Sequence, residues 1–122
     1  MRLAFASLLA LLGFQVFGCA DSTPKSVPEK VMTVLKHIDK NDSAMEGYEG
    51  GRSFGNFEKL LPQNDDKGQK IKYREWDVNP HIKGVNRGPE RLITGSDGSA
   101  YYTGDHYKNF TKIRGPGKEE KK

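Results

Sequence analysis

The sequence predicts an α+β domain, with one N-terminal helix packed on a twisted antiparallel β-sheet. Three observations carry that expectation. Apolar residues recur at helical spacing between Val31 and Ile38. From Ile71 onward the chain turns to short β-branched and aromatic runs. Those runs are separated by short Gly- and Asp-containing turns, which join antiparallel neighbours. A helix followed by a run of strands is the order of a domain whose helix covers one face of the sheet.

Val31, Val34, Leu35 and Ile38 fall at i, i+3, i+4 and i+7, so the spacing predicts a helix over 28–39 with one buried stripe. Ser26-Val27-Pro28-Glu29 in front of it has the capping-box pattern, in which Ser26 caps a free N–H and Glu29 reaches back. Residues 41–56 are rich in Gly, Asn, Asp and Ser and read as loops, with Gly50-Gly51 as a tight turn. Leu60-Leu61-Pro62 closes that segment against the core, and residues 63–69 form an exposed turn. A strand is predicted over 71–78. Alternation sends Ile71, Tyr73, Glu75 and Asp77 to one face and Lys72, Arg74, Trp76 and Val78 to the other. Residues 79–89, with Pro80, Gly84, Gly88 and Pro89, are a loop. Strands over 90–94 and 99–103 flank the turn Gly95-Ser96-Asp97-Gly98, and a last strand is predicted over 105–113. Residues 115–122 read as a solvated tail.

The chain has 122 residues, 34% hydrophobic and 30% charged, which is the composition of one small globular domain and not of a disordered segment. Its net charge of +4 favours polyanionic partners such as RNA or anionic lipid. Residues 1–18 hold Arg2 as their only charge, followed by an apolar run too short to span a bilayer, and read as a signal peptide. Two processing sites compete. Val16-Phe17-Gly18-Cys19 resembles a lipobox, which would place a lipid on Cys19. Gly18-Cys19-Ala20 offers ordinary cleavage after Ala20. Residues 19–27 then form a tether. Cys19 is the only cysteine, so neither a disulfide nor a cysteine-built zinc site is expected.

Four polar residues stand inside the strand region: Glu75 in mid-strand, Arg87 and Arg91 across a loop-to-strand junction, and His106 at the beginning of the last strand. A carboxylate, a histidine and two arginines are what RNA cleavage without a metal needs. One group takes the ribose 2′-proton and another protonates the departing 5′-oxygen. Arginine forks hold the phosphate. Each residue alone has a commoner structural reading, as a surface ion pair, a solvated face or an exposed histidine. His37 and His81 are read that way, as is Trp76, a packing residue. Tyr101 and Tyr102 are read as structural residues on alternate faces.

The string Tyr101-Tyr102-Thr103-Gly104-Asp105-His106-Tyr107 resembles the C-terminal signature of the bacterial guanyl-specific ribonucleases, the barnase group and the secreted streptomycete enzymes. Phe54-Gly55-Asn56-Phe57-Glu58 with Leu61-Pro62 resembles their guanine loop. Tyr73-Arg74-Glu75 with Asp77-Val78 resembles the strand of their catalytic glutamate. Arg87, Gly88 and Arg91 through Gly95 resemble the segment of their two arginines. The motifs keep the family's order and spacing from about residue 45 to residue 114. The resemblance implies a ribonuclease domain over 28–114 that cleaves single-stranded RNA after guanosine. Glu75 would be the base and His106 the acid. Arg87 and Arg91 would bind the phosphate. Glu58 would accept from the guanine N1–H and amine, with main-chain N–H groups around Asn56 and Phe57 donating to O6. Phe54 and Tyr107 would stack on the base. The resemblance implies no metal and no cofactor.

At position 57 this chain has Phe where the family usually has Arg, which removes a charge beside Glu58 and loosens base choice or affinity. Asn56 also has a structural reading, fixing the loop. The other functional class is an RNA-binding or toxin-type lipoprotein on the same fold with weak turnover. Expected partners are RNA, a small acidic inhibitor protein and, through a lipid on Cys19 alone, a membrane. The expected protein is an exported monomer.

Overall fold

The computed structural model describes residues 27–117. The expected signal peptide, the lipid site at Cys19, Ser26 and residues 118–122 of the tail lie outside the described residues.

Helix α1 runs Glu29–Asn41 and buries Val31, Val34, Leu35 and Ile38, the stripe its spacing predicts. Its first flanking residue is Pro28, whose fixed φ suits a helix start and which carries no side-chain cap. Glu29 is therefore the first helical residue, and the Ser26 half of the expected capping box lies outside the described residues. It still places a carboxylate in the first turn, where the helix dipole favours it. The C-terminus runs two residues past expectation and closes at Asp42. That residue adopts the left-handed conformation (φ 52°) and donates its N–H to the Ile38 carbonyl at 2.7 Å.

Five strands follow: β1 (Gly50–Phe54), β2 (Tyr73–Asp77), β3 (Arg91–Gly95), β4 (Ala100–Thr103) and β5 (Thr111–Arg114). They form one antiparallel sheet in chain order. Alternation divides its side chains as expected. Trp76, Val78, Leu92, Ala100 and Tyr102 meet the apolar stripe of α1. Ile71, Tyr73, Ile93 and Tyr101 point to the opposite face, where Leu61, Phe54, Tyr107 and Phe110 cover them. Arg114 on β5 forks onto Asp39 of α1 at 2.6 and 2.9 Å. Lys30 and the Tyr102 hydroxyl both reach Glu90 at 2.7 Å. The helix is thus tied to the sheet at both ends.

Two expectations are corrected. Gly50-Gly51 is no tight turn: both glycines lie within β1, where the pairing with β2 shifts register between Gly50 and Arg52. The approach is too close for any side chain, since a Cβ on Gly50 would lie 2.7 Å from the Trp76 Cα. Gly50→Ala is accordingly expected to destabilise the fold by about 1–3 kcal/mol, read as a lower urea midpoint. Nor is 105–113 one strand. Residues 104–109 bend away from the sheet and only Thr111–Arg114 pairs with β4. The reason is Asp105, whose carboxylate captures the main-chain N–H groups of Lys108 (3.1 Å) and Asn109 (2.9 Å) and competes with any ladder there.

Candidate active site

β2 sends Glu75 and Asp77 to the face away from α1, and the two carboxylates organise the cations around them. Asp77 is 1% exposed. Arg91, the first residue of β3 and directly opposite Asp77 in register, places Nε 3.3 Å from its Oδ1. Arg87, in the loop before β3, places Nη1 3.1 Å from Oδ2. The Arg91 Nη1 also donates to the Gly88 and Glu90 carbonyls at 2.9 and 2.6 Å, so its orientation is fixed from three sides. Arg87 shares Glu49, at 3.2 Å, with His81, whose Nδ1 lies 3.5 Å from the other oxygen of that carboxylate.

Glu75 is held from both oxygens. Arg52 on β1 donates Nε to Oε1 at 2.9 Å. The Tyr107 hydroxyl donates to Oε2. Burial, and next the bond to this carboxylate, push the Tyr107 hydroxyl up to about 12, so it is a proton donor throughout the neutral range.

Tyr107 and His106 come from the bend after β4. Both adopt left-handed backbone, with φ of 71° and 56°. Two such residues in succession are costly for non-glycine side chains and occur where the surroundings over-determine them. Asp105 supplies that support. Besides the two N–H groups, it accepts from the Asn109 side chain at 2.6 Å and the Thr103 hydroxyl at 3.0 Å. These bonds, Asn109 foremost, hold its carboxyl at about 2. The His106 N–H donates to the Pro89 carbonyl at 3.0 Å, which joins this bend to the loop carrying Arg87. The imidazole lines a groove of about 660 Å³ together with Arg87, Arg91, His81, Val85 and Asn86. Among the described residues no three Asp, Glu, His or Cys side chains are placed to hold a metal ion.

Beside Glu75, Phe54 ends β1 and stacks on Tyr107, ring centroids 5.1 Å apart and 26° from parallel. The loop after it is closed by Asn56, whose side chain donates to the Leu61 carbonyl at 2.8 Å and accepts from the Leu61 N–H at 3.1 Å. Asn56 itself sits at φ 50°, which asparagine tolerates better than most residues. Phe57 is 93% exposed, and Glu58 is exposed at the loop's tip.

The structure thus gathers Arg87, Arg91 and His106 on one groove and links Glu75 to them through Tyr107 and through Arg52, which also approaches Asp77. Phe54 packs on Tyr107, and Asn56, Phe57 and Glu58 follow it in the loop. Sequence reasoning missed three residues there. Asp77 was placed on the face of Glu75 without a role, though an acid buried beside two arginines is the signal for an ion-pair hub. Arg52 was lost because Gly50-Gly51 read as a turn. His81 was read as bland and lines the groove.

A family model described as ribonuclease matches residues 16–114 of the chain. The chain belongs to the ribonuclease family. Within that family, ribonucleases of Bacillus intermedius and Bacillus pumilus are each 40% identical over 65 residues, which is 53% of this chain and 36% of theirs. The chain therefore matches about a third of the length of these relatives. Among solved structures, ribonuclease Sa2 with guanosine-2′-cyclophosphate superposes at a TM-score of 0.50 with 28% identity, over 71% of this chain and 86% of that one. A second structure of ribonuclease Sa2, from its complexes with mononucleotides, superposes at 0.51 with 30% identity, over 70% and 83%. The helix and five-strand antiparallel sheet of this ribonuclease-family chain are the α+β architecture its sequence predicts.

Proposed function

We propose that this chain is an exported endoribonuclease that cleaves single-stranded RNA 3′ of guanosine without a metal. The observation that carries the reading is the arrangement on one sheet face. A carboxylate, two arginines gathered on Asp77 and a groove-lining histidine stand where an acid, a base and a phosphate cradle are needed. Family membership and the guanosine nucleotide bound by ribonuclease Sa2 support it.

In the first step Glu75 takes the proton of the ribose 2′-OH. O2′ bonds to phosphorus, the P–O5′ bond breaks, and His106 protonates O5′ as it leaves. Arg87 and Arg91 stabilise the charge gathering on the phosphate oxygens. The product is a 2′,3′-cyclic phosphate. In the second step the roles reverse: His106 takes a proton from water, the water oxygen attacks phosphorus, and Glu75 returns a proton to O2′, leaving a 3′-phosphate.

Guanine sits between Phe54 and Tyr107. At 5.1 Å these rings contact one another, whereas a base between them needs ~7 Å, two stacking contacts of ~3.5 Å. A base between them therefore requires the rings to part, and a shift of Tyr107 would free Glu75 Oε2 in the same movement. Glu58 accepts from the guanine N1–H and amine. Glu58→Gln is expected to lower kcat/KM at guanine by roughly 10–100-fold, the value of hydrogen bonds to a charged acceptor, while leaving the slow cleavage after other bases unchanged.

The test of the whole reading is cleavage of short RNAs, one holding a single guanine and the others none, by the purified protein in EDTA. Cutting after guanine with a cyclic-phosphate product supports it. Cutting after adenine as well assigns loosened specificity to Phe57. RNA that is bound and left intact sinks the enzyme. Export, and a lipid on Cys19 against cleavage after Ala20, are read directly from the mass of the mature N-terminus.

A further inference from the structure

Arg52 has no part in the mechanism above, yet its guanidinium stands inside the site. Its Nε donates to Glu75 Oε1 at 2.9 Å, and its Nη2 lies 3.7 Å from Asp77 Oδ1. It is the guanidinium that reaches both carboxylates. Glu75 and Asp77 sit two apart on one face of β2 and repel each other, so a cation between them offsets that repulsion.

Its position depends on one residue. Gly50 pairs with Trp76, and the next pair is Arg52 with Glu75, so two residues of β1 oppose one step of β2. In an unbroken ladder Gly51 would face Glu75 and Arg52 would face Arg74. Gly51 takes φ 90°, a conformation open to glycine, and the bulge it forms turns Arg52 onto the carboxylate. Bulges of this kind re-aim side chains beside active sites.

We propose that Arg52 is a positioning residue for the general base: it occupies Glu75 Oε1 and leaves Oε2 as the single oxygen presented to the ribose 2′-hydroxyl. The Tyr107 hydroxyl marks that place, since it is a neutral O–H donor to Oε2 as the 2′-OH would be. The inference rests on the reading of Glu75 as base. Arg52 acts through Glu75 and not on the phosphate, so its loss appears in turnover and not in substrate binding.

The experiment compares kcat and KM of wild type, Arg52→Gln, Arg52→Lys and Glu75→Gln as full-length chains on a dinucleotide substrate. The Arg52 side chain is 47% exposed on an edge strand, so Arg52→Gln is expected to unfold within a few degrees of wild type. Its kcat falls roughly 10–100-fold, the scale of a misplaced reacting group, with KM within threefold. Arg52→Lys, which keeps the charge, recovers part of the lost kcat. An unchanged kcat in Arg52→Gln overturns the proposal, and so does a loss confined to KM, which makes Arg52 a phosphate ligand. Glu75→Gln separates the two readings. An inactive Glu75→Gln beside an unaffected Arg52→Gln keeps the base and removes the positioning role, whereas a fully active Glu75→Gln overturns both.

Discussion

Replacing His106 is expected to lower kcat for RNA cleavage by roughly 10²–10⁴-fold, the contribution of one positioned acid. The departing 5′-oxygen is a poor leaving group until it gains a proton, and among the residues lining the groove beside Arg87 and Arg91, His106 is the one this mechanism uses as acid. The choice of replacement matters, because His106 sits at φ 56°. Alanine there bears a backbone cost of about 1–2 kcal/mol that asparagine largely escapes. His106→Asn is therefore the cleaner variant: it loses the acid and keeps the bend that also carries Tyr107. His106→Ala should match it in turnover and unfold at a lower temperature. Combining His106→Asn with Glu75→Gln should cost far less than the product of the two single losses, since the pair works as a unit. A His106→Asn enzyme within tenfold of wild type would remove this residue from the mechanism.

Asp77→Ala is expected to give the largest loss of stability from a single substitution in the site, about 3–5 kcal/mol, the cost of stranding a buried partner charge. The figure rests on the Arg91–Asp77 pair, whose side chains are 6% and 1% exposed. Arg87 and Arg52 are partly solvated and add little, because water screens them. Asp77→Asn keeps the shape and an acceptor oxygen and should lose less. Both variants should also lose turnover, because the carboxylate that gathers the two arginines proposed to bind phosphate is gone. Urea unfolding with an unchanged slope reads the stability term. An Asp77→Ala chain within 1 kcal/mol of wild type would show that the Gly88 and Glu90 carbonyls, not Asp77, hold Arg91.

What the sequence disclosed follows from which forces are local. The stripe of α1 and the alternation along β2 are spacing signals, and they place Val31 to Ile38, Trp76 and Glu75 correctly because burial on one face imposes the period. The motif residues from Phe54 to His106 were legible as a resemblance, and the fold brings them to one side of the sheet. The bulge in β1 was not legible. Two adjacent glycines read as a turn, and only the close approach of Trp76 shows why a strand needs them. The bend at 104–109 was hidden for a related reason. Asp105-His106-Tyr107 has no turn dipeptide, and the hydrogen bonds that break the strand belong to a side chain. Arg52 depends on the bulge, so it was missed with it.

The sheet order has a consequence for the chain while it is being made. Strands pair with their neighbours in sequence, so each can dock as it emerges, and Glu75 is in place long before His106 is synthesised. The proposed acid and base are separated in the chain by β3, β4 and both arginines. On the proposed mechanism, any nascent or truncated chain ending before His106 therefore carries the base without the acid. The acid–base pair of the proposed mechanism is complete only once His106 has been added, close to the end of the described chain.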